Sequence, residues 1–446
     1  MSGSETSPRQ VGTRSYGRGA AILSIGIGVT GLVTFAYFSL ASYSLPEAEY
    51  GRITLLWSAM FITVSVLYRP VEQLLSRTIA DHDARGIAGS RHLRVAATIQ
   101  LALGLAFVVV ALVLRGPIQD DLFGGSATLY WILVVGVLAY AASYFARGFL
   151  AGHHQFGLYG GLVLMEASSR CLFALAVAIG IAEGQSAVAL GMVAAPFVSL
   201  AVVPPALARR LAPEPDGREA DAQALDAAAR DEPSAREPQF TLPRGTGFAA
   251  AVLVIMLCEQ TFLNAGPLLI EATEEGARGA ALAGIVFNVL LIARAPLQLF
   301  QAVQTSILPH LTRLRAGGET DPFRRSVNLT LFAIAAFAAC VALVMLIAGP
   351  LIMDLLFGGE FDYERGGLVL VALGMGLYLV AATLNQALLA HGRAAQASVS
   401  WALAALAFVL FLLLADFDDR VLQVQLAFAG AAAALSGSLY ALYRRA

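Results

Sequence analysis

Twelve long apolar runs constrain the fold of this chain more than any other feature. A helix needs about 20 apolar residues to cross the hydrocarbon core of a bilayer. Every run is long enough, and six lie on either side of a polar segment. The predicted spans are residues 19–45, 51–74, 92–114, 127–150, 156–181, 184–207, 245–270, 279–305, 327–349, 364–390, 394–415 and 421–443. The sequence therefore predicts an all-α integral membrane protein with twelve transmembrane helices.

Composition supports this prediction and narrows the function. Of the 446 residues, 58% are hydrophobic and 13% are charged, whereas soluble domains carry about 25% charged residues. The net charge of −2 gives no reason to expect nucleic acid as a partner. All 29 basic residues are arginine, so the lysine of a phosphate-binding loop or a Schiff base is absent. We expect the protein to have no enzymatic activity, no cofactor and no metal site.

The polar segment 208–244 separates the two sets of runs. Residues 209–244 hold six arginines and eight acidic residues, and such a segment buries too little apolar surface to offset the entropy of ordering it. It is therefore predicted to be a flexible tether. The predicted parts of the chain are an N-terminal tail (1–18), a first six-helix bundle (19–207), the tether, and a second six-helix bundle (245–443).

The arginines predict the orientation in the membrane. Twenty-two of them fall in the tails, the tether and the other connections on the same side, whereas five fall on the opposite side. Cytoplasmic connections are enriched in arginine and lysine. Both termini and the tether are therefore predicted to face the cytoplasm, in the plasma membrane.

The two halves share landmarks in the same order. Segment 116–125 carries Gly-Pro followed by Leu-Phe-Gly-Gly, and segment 349–359 carries the same pattern. Each is predicted to be an outer connection between the third and fourth spans of its half. Because each half has an even number of spans, the repeat is predicted to be parallel, with two bundles facing each other across a central cleft.

Ionisable residues inside the predicted spans are candidate functional residues, because charge is costly in hydrocarbon. They are Arg69, Glu72, Glu166, Arg170, Glu259 and Arg294. Glu166 and Arg170 are four residues apart, so they can pair on one helix face. This pair either holds the bundle together or leaves Arg170 free to bind an anionic head group. Arg294 has no carboxylate at helical spacing and lies beside Pro296, and both Arg294 and Arg69 have snorkelling to the inner headgroups as the alternative.

Two further features suggest coupling and substrate contacts. Glu259 is alone in the seventh span, where it can bind and release a proton, and the alternative is a protonated side chain bonded to another helix. Glu72 and Glu166 are the other candidates for ion or proton coupling. Gln298 and Gln301 form a polar stripe on the eighth span, which suggests a wet, sugar-binding wall or contacts between helices.

The chain resembles the multidrug/oligosaccharidyl-lipid/polysaccharide exporter superfamily, and within it the bacterial polysaccharide-biosynthesis flippases of the O-antigen type. The resemblance spans residues 19–443. It is carried by the two Gly-Pro and Leu-Phe-Gly-Gly segments, by the Arg-Pro-Val-Glu-Gln of 69–73, and by the Arg-Gly-Phe-Leu-Ala-Gly of 147–152 followed by Phe156 and Tyr159. Twelve spans fit this branch better than the related peptidoglycan-precursor flippases, which usually have fourteen.

This resemblance implies translocation of an undecaprenyl-pyrophosphate-linked oligosaccharide from the inner to the outer leaflet by alternating access. Arg170, Arg294 and Arg69 would bind the pyrophosphate, with Gln298 and Gln301 at the glycan, while the lipid tail stays among membrane lipids. The coupling ion would be H⁺ or Na⁺, and the partners would be polysaccharide assembly enzymes.

Three alternatives compete with the flippase. A cation-coupled multidrug exporter has the same architecture, but its cleft would need carboxylates and aromatic side chains rather than unpaired arginines. A membrane glycosyltransferase, polymerase or ligase usually needs a large extramembrane loop, and the outer connections here are short. A membrane scaffold without transport activity leaves the buried charges unexplained.

Overall fold

A computed structural model describes residues 26, 28–84, 91–202, 204, 242–274, 276–294, 296, 320–358 and 363–445. The predicted N-terminal tail (1–18) lies outside the described residues. So does the predicted tether (208–244), except for its last three residues, which begin a helix. Gln298 and Gln301 also lie outside this part of the chain.

The described residues form twelve long helices. In the first half these are α1 (28–44), α2 (Glu47–Ala84), α3 (Arg91–Val113), α4 (Ala127–Gly152), α5 (Phe156–Ala178) and α6 (Gly184–Ser199). In the second half they are α7 (Leu242–Thr273), α8 (Gly276–Arg294), α9 (Thr320–Phe357), α10 (Arg365–Ala390), α11 (Ala394–Leu414) and α12 (Arg420–Arg444). A π-helical turn, Pro117–Leu122, follows α3, and a short 3₁₀ turn, Leu200–Val202, follows α6.

The predicted fold class is confirmed. Ten of the described helices are long and apolar enough to cross a bilayer. Of the other two, α6 has 16 residues and α1 is described over residues 28–44. Helices α4, α5, α10, α11 and α12 each begin within one residue of the predicted span.

Helices α2 and α9 extend well beyond their predicted spans, and one predicted connection is wrong. Both α2 and α9 contain 38 residues, because hydropathy marks only the part of a helix that lies in hydrocarbon. Gly349 and Pro350 were predicted to lie in an outer connection, but they lie inside α9, which continues to Phe357. After α3, Pro117 likewise begins a π-helical turn. The Leu-Phe-Gly motifs do end the helical segments, with positive φ at Gly124 (56°) and Gly358 (84°).

Each half packs around its own central helices. In the first half α4 packs against α2 and α6, and α5 packs against α6; in the second half α10 packs against α9 and α12, and α11 packs against α7 and α12. Helices α2 and α7 connect the two halves. We call the end of the molecule that carries the α1–α2, α7–α8 and α9–α10 connections the outer end, following the predicted orientation.

Candidate functional site

A polar cavity of about 400 Å³ lies inside the first half. Its wall combines three arginines, two glutamates and several aromatic rings, all from α1, α2, α4 and α5. The lining residues that matter most are Arg69, Glu72, Tyr144, Arg147, Tyr159, Glu166, Arg170, Trp57 and Phe61. The structure describes six of the sequence-predicted substrate and coupling residues, and four of them share this one cavity: Arg69, Glu72, Glu166 and Arg170.

Glu166 is the centre of the hydrogen bonding in this cavity. Its side chain is 2% exposed and forms an ion pair with Arg147 of α4. Ser143 also donates to Glu166, and the Ser199 hydroxyl donates to Glu166 Oε1 over 3.3 Å. The predicted pairing of Glu166 with Arg170 is therefore replaced by a bond to a different helix. The Arg147 guanidinium stacks on the Tyr144 ring at 4.5 Å, which fixes its position further.

Among the described residues, Arg170 has neutral partners only. Its Nη1 donates to the Tyr140 hydroxyl over 2.6 Å, and its guanidinium lies 5.2 Å from the centre of the Trp57 ring and 5.8 Å from that of Phe61. The side chain is buried, and its Nε has no hydrogen-bond partner among the described residues. Arg170 thus offers a buried cation with an unused Nε–H donor beside two aromatic faces.

Glu72 and Arg69 lie on neighbouring turns of α2, nearer the inner end of the cavity. The Tyr159 hydroxyl donates to Glu72 Oε1 over 2.8 Å. Arg69 is half-buried and forms no ion pair with a described acidic residue. Its strongest electrostatic attraction is to Glu259 of α7, in the other half, and Glu72 contributes less. Arg69 and Glu259 are thus close enough to attract each other across the boundary between the halves, and they form no ion pair in the described part of the chain.

Arg294 lies outside this cavity, in the second half. Its Nη2 donates to the Leu263 carbonyl oxygen and, over 3.1 Å, to Asn264 Oδ1. The guanidinium also stacks on Phe287 at 4.3 Å, and the residue is 8% exposed. Arg294 is therefore buried in protein, and its partners among the described residues are neutral groups. The structure does not bring it together with Arg170.

The interior of the second half contrasts with that of the first. Five aromatic side chains fill it: Phe262, Tyr378, Trp401, Phe408 and Phe428. Phe262 stacks on Phe408 at 5.4 Å between ring centres, and Trp401 donates to Asn385 Oδ1 over 3.3 Å. Because the charged cavity is lined by helices of the first half, the candidate site is assigned to the first half.

The two halves are joined at the outer end. Tyr43 of α1 donates to the carbonyl oxygens of Asp354 (3.1 Å) and Leu355 (2.7 Å) in α9. Tyr50 of α2 donates to Asn288 of α8, whose Nδ2 donates in turn to Tyr363 over 2.9 Å.

Backbone contact reinforces this junction. A Cβ atom at Gly51 would lie 1.7 Å from the Ala280 carbonyl oxygen, so α2 and α8 approach as closely as glycine allows. The rings of Phe38 and Phe287 meet at 4.5 Å. We call the contacts made by Tyr43, Tyr50, Gly51 and Asn288 the outer seal.

Arg147 is the residue that sequence reasoning missed. It was counted among the arginines of a cytoplasmic connection, but it lies inside α4 with only 12% of its side chain exposed. A signal for it exists in the sequence. Tyr140, Ser143, Tyr144 and Arg147 recur at helical spacing, which marks a polar face on an otherwise apolar helix.

Solved structures show which known fold this arrangement has. A MATE transporter from Vibrio cholerae superposes with a TM-score of 0.56 at 14% identity, covering 97% of this chain and 98% of the other. A eukaryotic MATE transporter gives a TM-score of 0.63 at 12% identity, covering 97% and 96% of the two chains. The chain has the fold of the MATE transporters.

A third solved structure with this fold is in an inward-facing conformation. It is a multidrug resistance transporter of the MATE family in the MOP superfamily, with a TM-score of 0.59, 14% identity, and coverage of 95% and 98%. The coverage confirms that the MATE fold accounts for essentially the whole chain. No protein-family model and no curated protein matches the sequence.

Proposed function

We propose that this protein is a cation-coupled exporter that works by alternating access and binds its coupling cation in the cavity of the first half. The observation that carries the proposal is the cavity itself, where Glu72 and Glu166 lie within a MATE-type fold. Ionisable side chains inside a membrane protein are costly, and they usually mark pathways for substrates, ions or protons. Two of the solved structures with this fold are described as multidrug resistance transporters, which supports this function over others.

The outer seal supports the mechanical part of the proposal. The halves are joined at the outer end by Tyr43, Tyr50 and Asn288, whereas Arg69 and Glu259 lie on opposite halves and form no ion pair in the described part of the chain. If Arg69 and Glu259 come together while the outer seal opens, the cavity becomes exposed at the outer end. This is a rocking motion of one half against the other.

Transport by purified protein in lipid vesicles tests the proposal. We expect ethidium, an organic cation, to move against an imposed proton or sodium gradient, and comparing the two gradients identifies the ion. Glu72→Gln should reduce this transport to background, because the amide still accepts the Tyr159 bond but cannot bind a cation. Glu166→Gln should do the same. The matched control is Glu364→Gln, which changes an exposed carboxylate at the outer end.

Two results would contradict the proposal that the protein is a cation-coupled exporter. One is wild-type protein that moves no ethidium under either gradient. The other is full gradient-driven transport in both Glu72→Gln and Glu166→Gln. Either would remove the role assigned to the cavity carboxylates.

Arg170 favours a second function, the flipping of a lipid-linked oligosaccharide into the outer leaflet for surface polysaccharide. The cavity holds three arginines and two glutamates, so its charge is positive. Arg170 has no acidic partner among the described residues and one unused donor. A pyrophosphate group is an acceptor that suits such a guanidinium.

The two functions predict different phenotypes in cells. If the protein is a flippase, a deletion strain carrying Arg170→Gln loses surface polysaccharide, while a strain carrying Arg365→Gln, an exposed arginine, keeps it. If the protein is a drug exporter, the deletion strain becomes sensitive to ethidium and its surface polysaccharide is unchanged. Genes for glycosyltransferases next to this one would favour the flippase.

A further inference from the structure

A groove between α3 and α4 opens from the first half towards the bilayer. Its volume is about 500 Å³, within the range of about 300–1,000 Å³ that small-molecule sites usually have. The wall contains small side chains that make room and large apolar ones that border it. The lining residues are Ala97, Gln100, Leu101, Gly104, Leu105, Val108, Leu138, Ala141, Ala142 and Phe145. None is charged, so a charged ligand has no partner here.

The exposed side of α3 indicates that this groove is in contact with lipid. Leu101 is 76% exposed and Leu105 is 65% exposed, although both belong to an apolar helix that is long enough to span the membrane. In a bilayer these side chains contact hydrocarbon. Any occupant of the groove therefore arrives from the membrane.

Gln100 is the polar group at the bottom of this groove. The residue is 5% exposed, and its Nε2 donates to the Ala141 carbonyl oxygen. This bond fixes the orientation of the amide, because the carbonyl oxygen can only accept. Gln100 Oε1 then points away from its partner and has no hydrogen bond in the described part of the chain. A buried acceptor without a donor costs free energy, so a donor is missing here.

Tyr68 supplies a second unused polar atom next to the groove. Its hydroxyl is buried and has no partner among the described residues. A Cβ atom at Gly104 would lie 3.5 Å from this hydroxyl oxygen, so the phenol lies directly behind the groove wall at Gly104. Gly104 is one helical turn from Gln100, which places an unused acceptor and an unused hydroxyl on the same side of α3.

We propose that the α3–α4 groove binds an uncharged membrane amphiphile that carries a hydroxyl group on a hydrocarbon body. The hydroxyl donates to Gln100 Oε1, and its oxygen can accept from Tyr68, while the hydrocarbon fills the apolar groove. A water molecule fits this site poorly, because it needs two to four polar partners and the wall is otherwise apolar. This site is separate from the charged cavity, and the proposal is independent of what the protein transports.

Photolabelling tests the proposal in vesicles of phosphatidylethanolamine and phosphatidylglycerol. The probe is a long-chain alcohol with a diazirine in its chain, and its methyl ether is the matched probe without a donor. The alcohol should label α3 and α4 more strongly than the ether does. Gln100→Leu should lower alcohol labelling roughly tenfold, to the level of the ether, as expected for the loss of one buried hydrogen bond. Gln396→Leu, the same change at an exposed glutamine, should have no effect.

Filling the groove gives a second test that does not depend on Gln100. Gly104→Leu should reduce labelling by both probes, and an unchanged melting temperature in detergent shows that the variant is folded. Equal labelling of α3 and α4 by alcohol and ether in the wild type would overturn the proposal. So would alcohol labelling of Gln100→Leu at the wild-type level.

Discussion

Arg147 is the ion-pair partner of Glu166 inside the first half. Glu166 is almost completely buried, and Arg147 provides its only cationic contact among the described residues. Removing one member of a buried ion pair is expensive because the other charge remains without compensation.

We expect Arg147→Gln to lower the stability of the protein by about 3–5 kcal/mol. Adding Glu166→Gln should restore part of this loss, because the second change removes the uncompensated charge. The apparent melting temperature in detergent, measured for both single variants and the double variant, gives the coupling between them. Simple addition of the two single effects would contradict the ion pair.

The identity of this pair shows where sequence reasoning reaches its limit. Spacing within one helix predicted Glu166 with Arg170, because only contacts along a helix can be read from the sequence. The choice of Arg147 instead depends on how α4 and α5 are rotated against each other. The candidates Glu72, Glu166, Arg69 and Arg170 were predicted correctly as residues inside the spans, because isolated charges stand out in apolar runs.

At the scale of helices, α2 connects the outer seal to the cavity. Gly51 lies at its outer end against α8, and Arg69 and Glu72 lie further along the same helix. Any movement of α2 away from α8 therefore changes both sites.

We expect Gly51→Leu to push α2 and α8 apart at the outer end, because its side chain has no room beside Ala280. Ala283, which is fully buried in α8, then becomes accessible. The measurement is the reaction of Ala283→Cys with a thiol reagent that does not cross membranes, after the three native cysteines are replaced by alanine.

The control for this experiment is Gly366→Leu, since a Cβ atom at Gly366 meets nothing within 4 Å. Reaction at position 283 should be faster in Gly51→Leu than in this control. Equal rates in the two variants would show that the outer seal does not depend on the contact of Gly51 with Ala280.

The helices themselves were largely predictable, and their ends were not. Twelve apolar runs gave twelve helices because a membrane leaves no other way to satisfy the backbone. The ends of α2 and α9 were misplaced because a helix continues past the hydrocarbon wherever its backbone still bonds internally. Pro350 does not end α9, which shows that proline alone is a weak stop signal in such a helix.

At the scale of the whole molecule, the two halves differ in what they enclose. The first half holds a charged cavity and the second a packed aromatic interior, although the sequence predicts them to be repeats. The outer seal joins them at the outer end through residues of α1, α2, α8 and α9. The proposed mechanism places binding in the first half and has the two halves move against each other.

Distances between spin labels test this motion most directly. One pair, Asp120→Cys and Asp418→Cys, reports the outer end; the other, Gly157→Cys and Gln396→Cys, reports the inner end, and all four positions are exposed. Each pair is measured by pulsed electron resonance in vesicles at several pH values and sodium concentrations. Alternating access predicts that the outer distance lengthens as the inner distance shortens. Distances that stay fixed, or that change in the same direction, would contradict it.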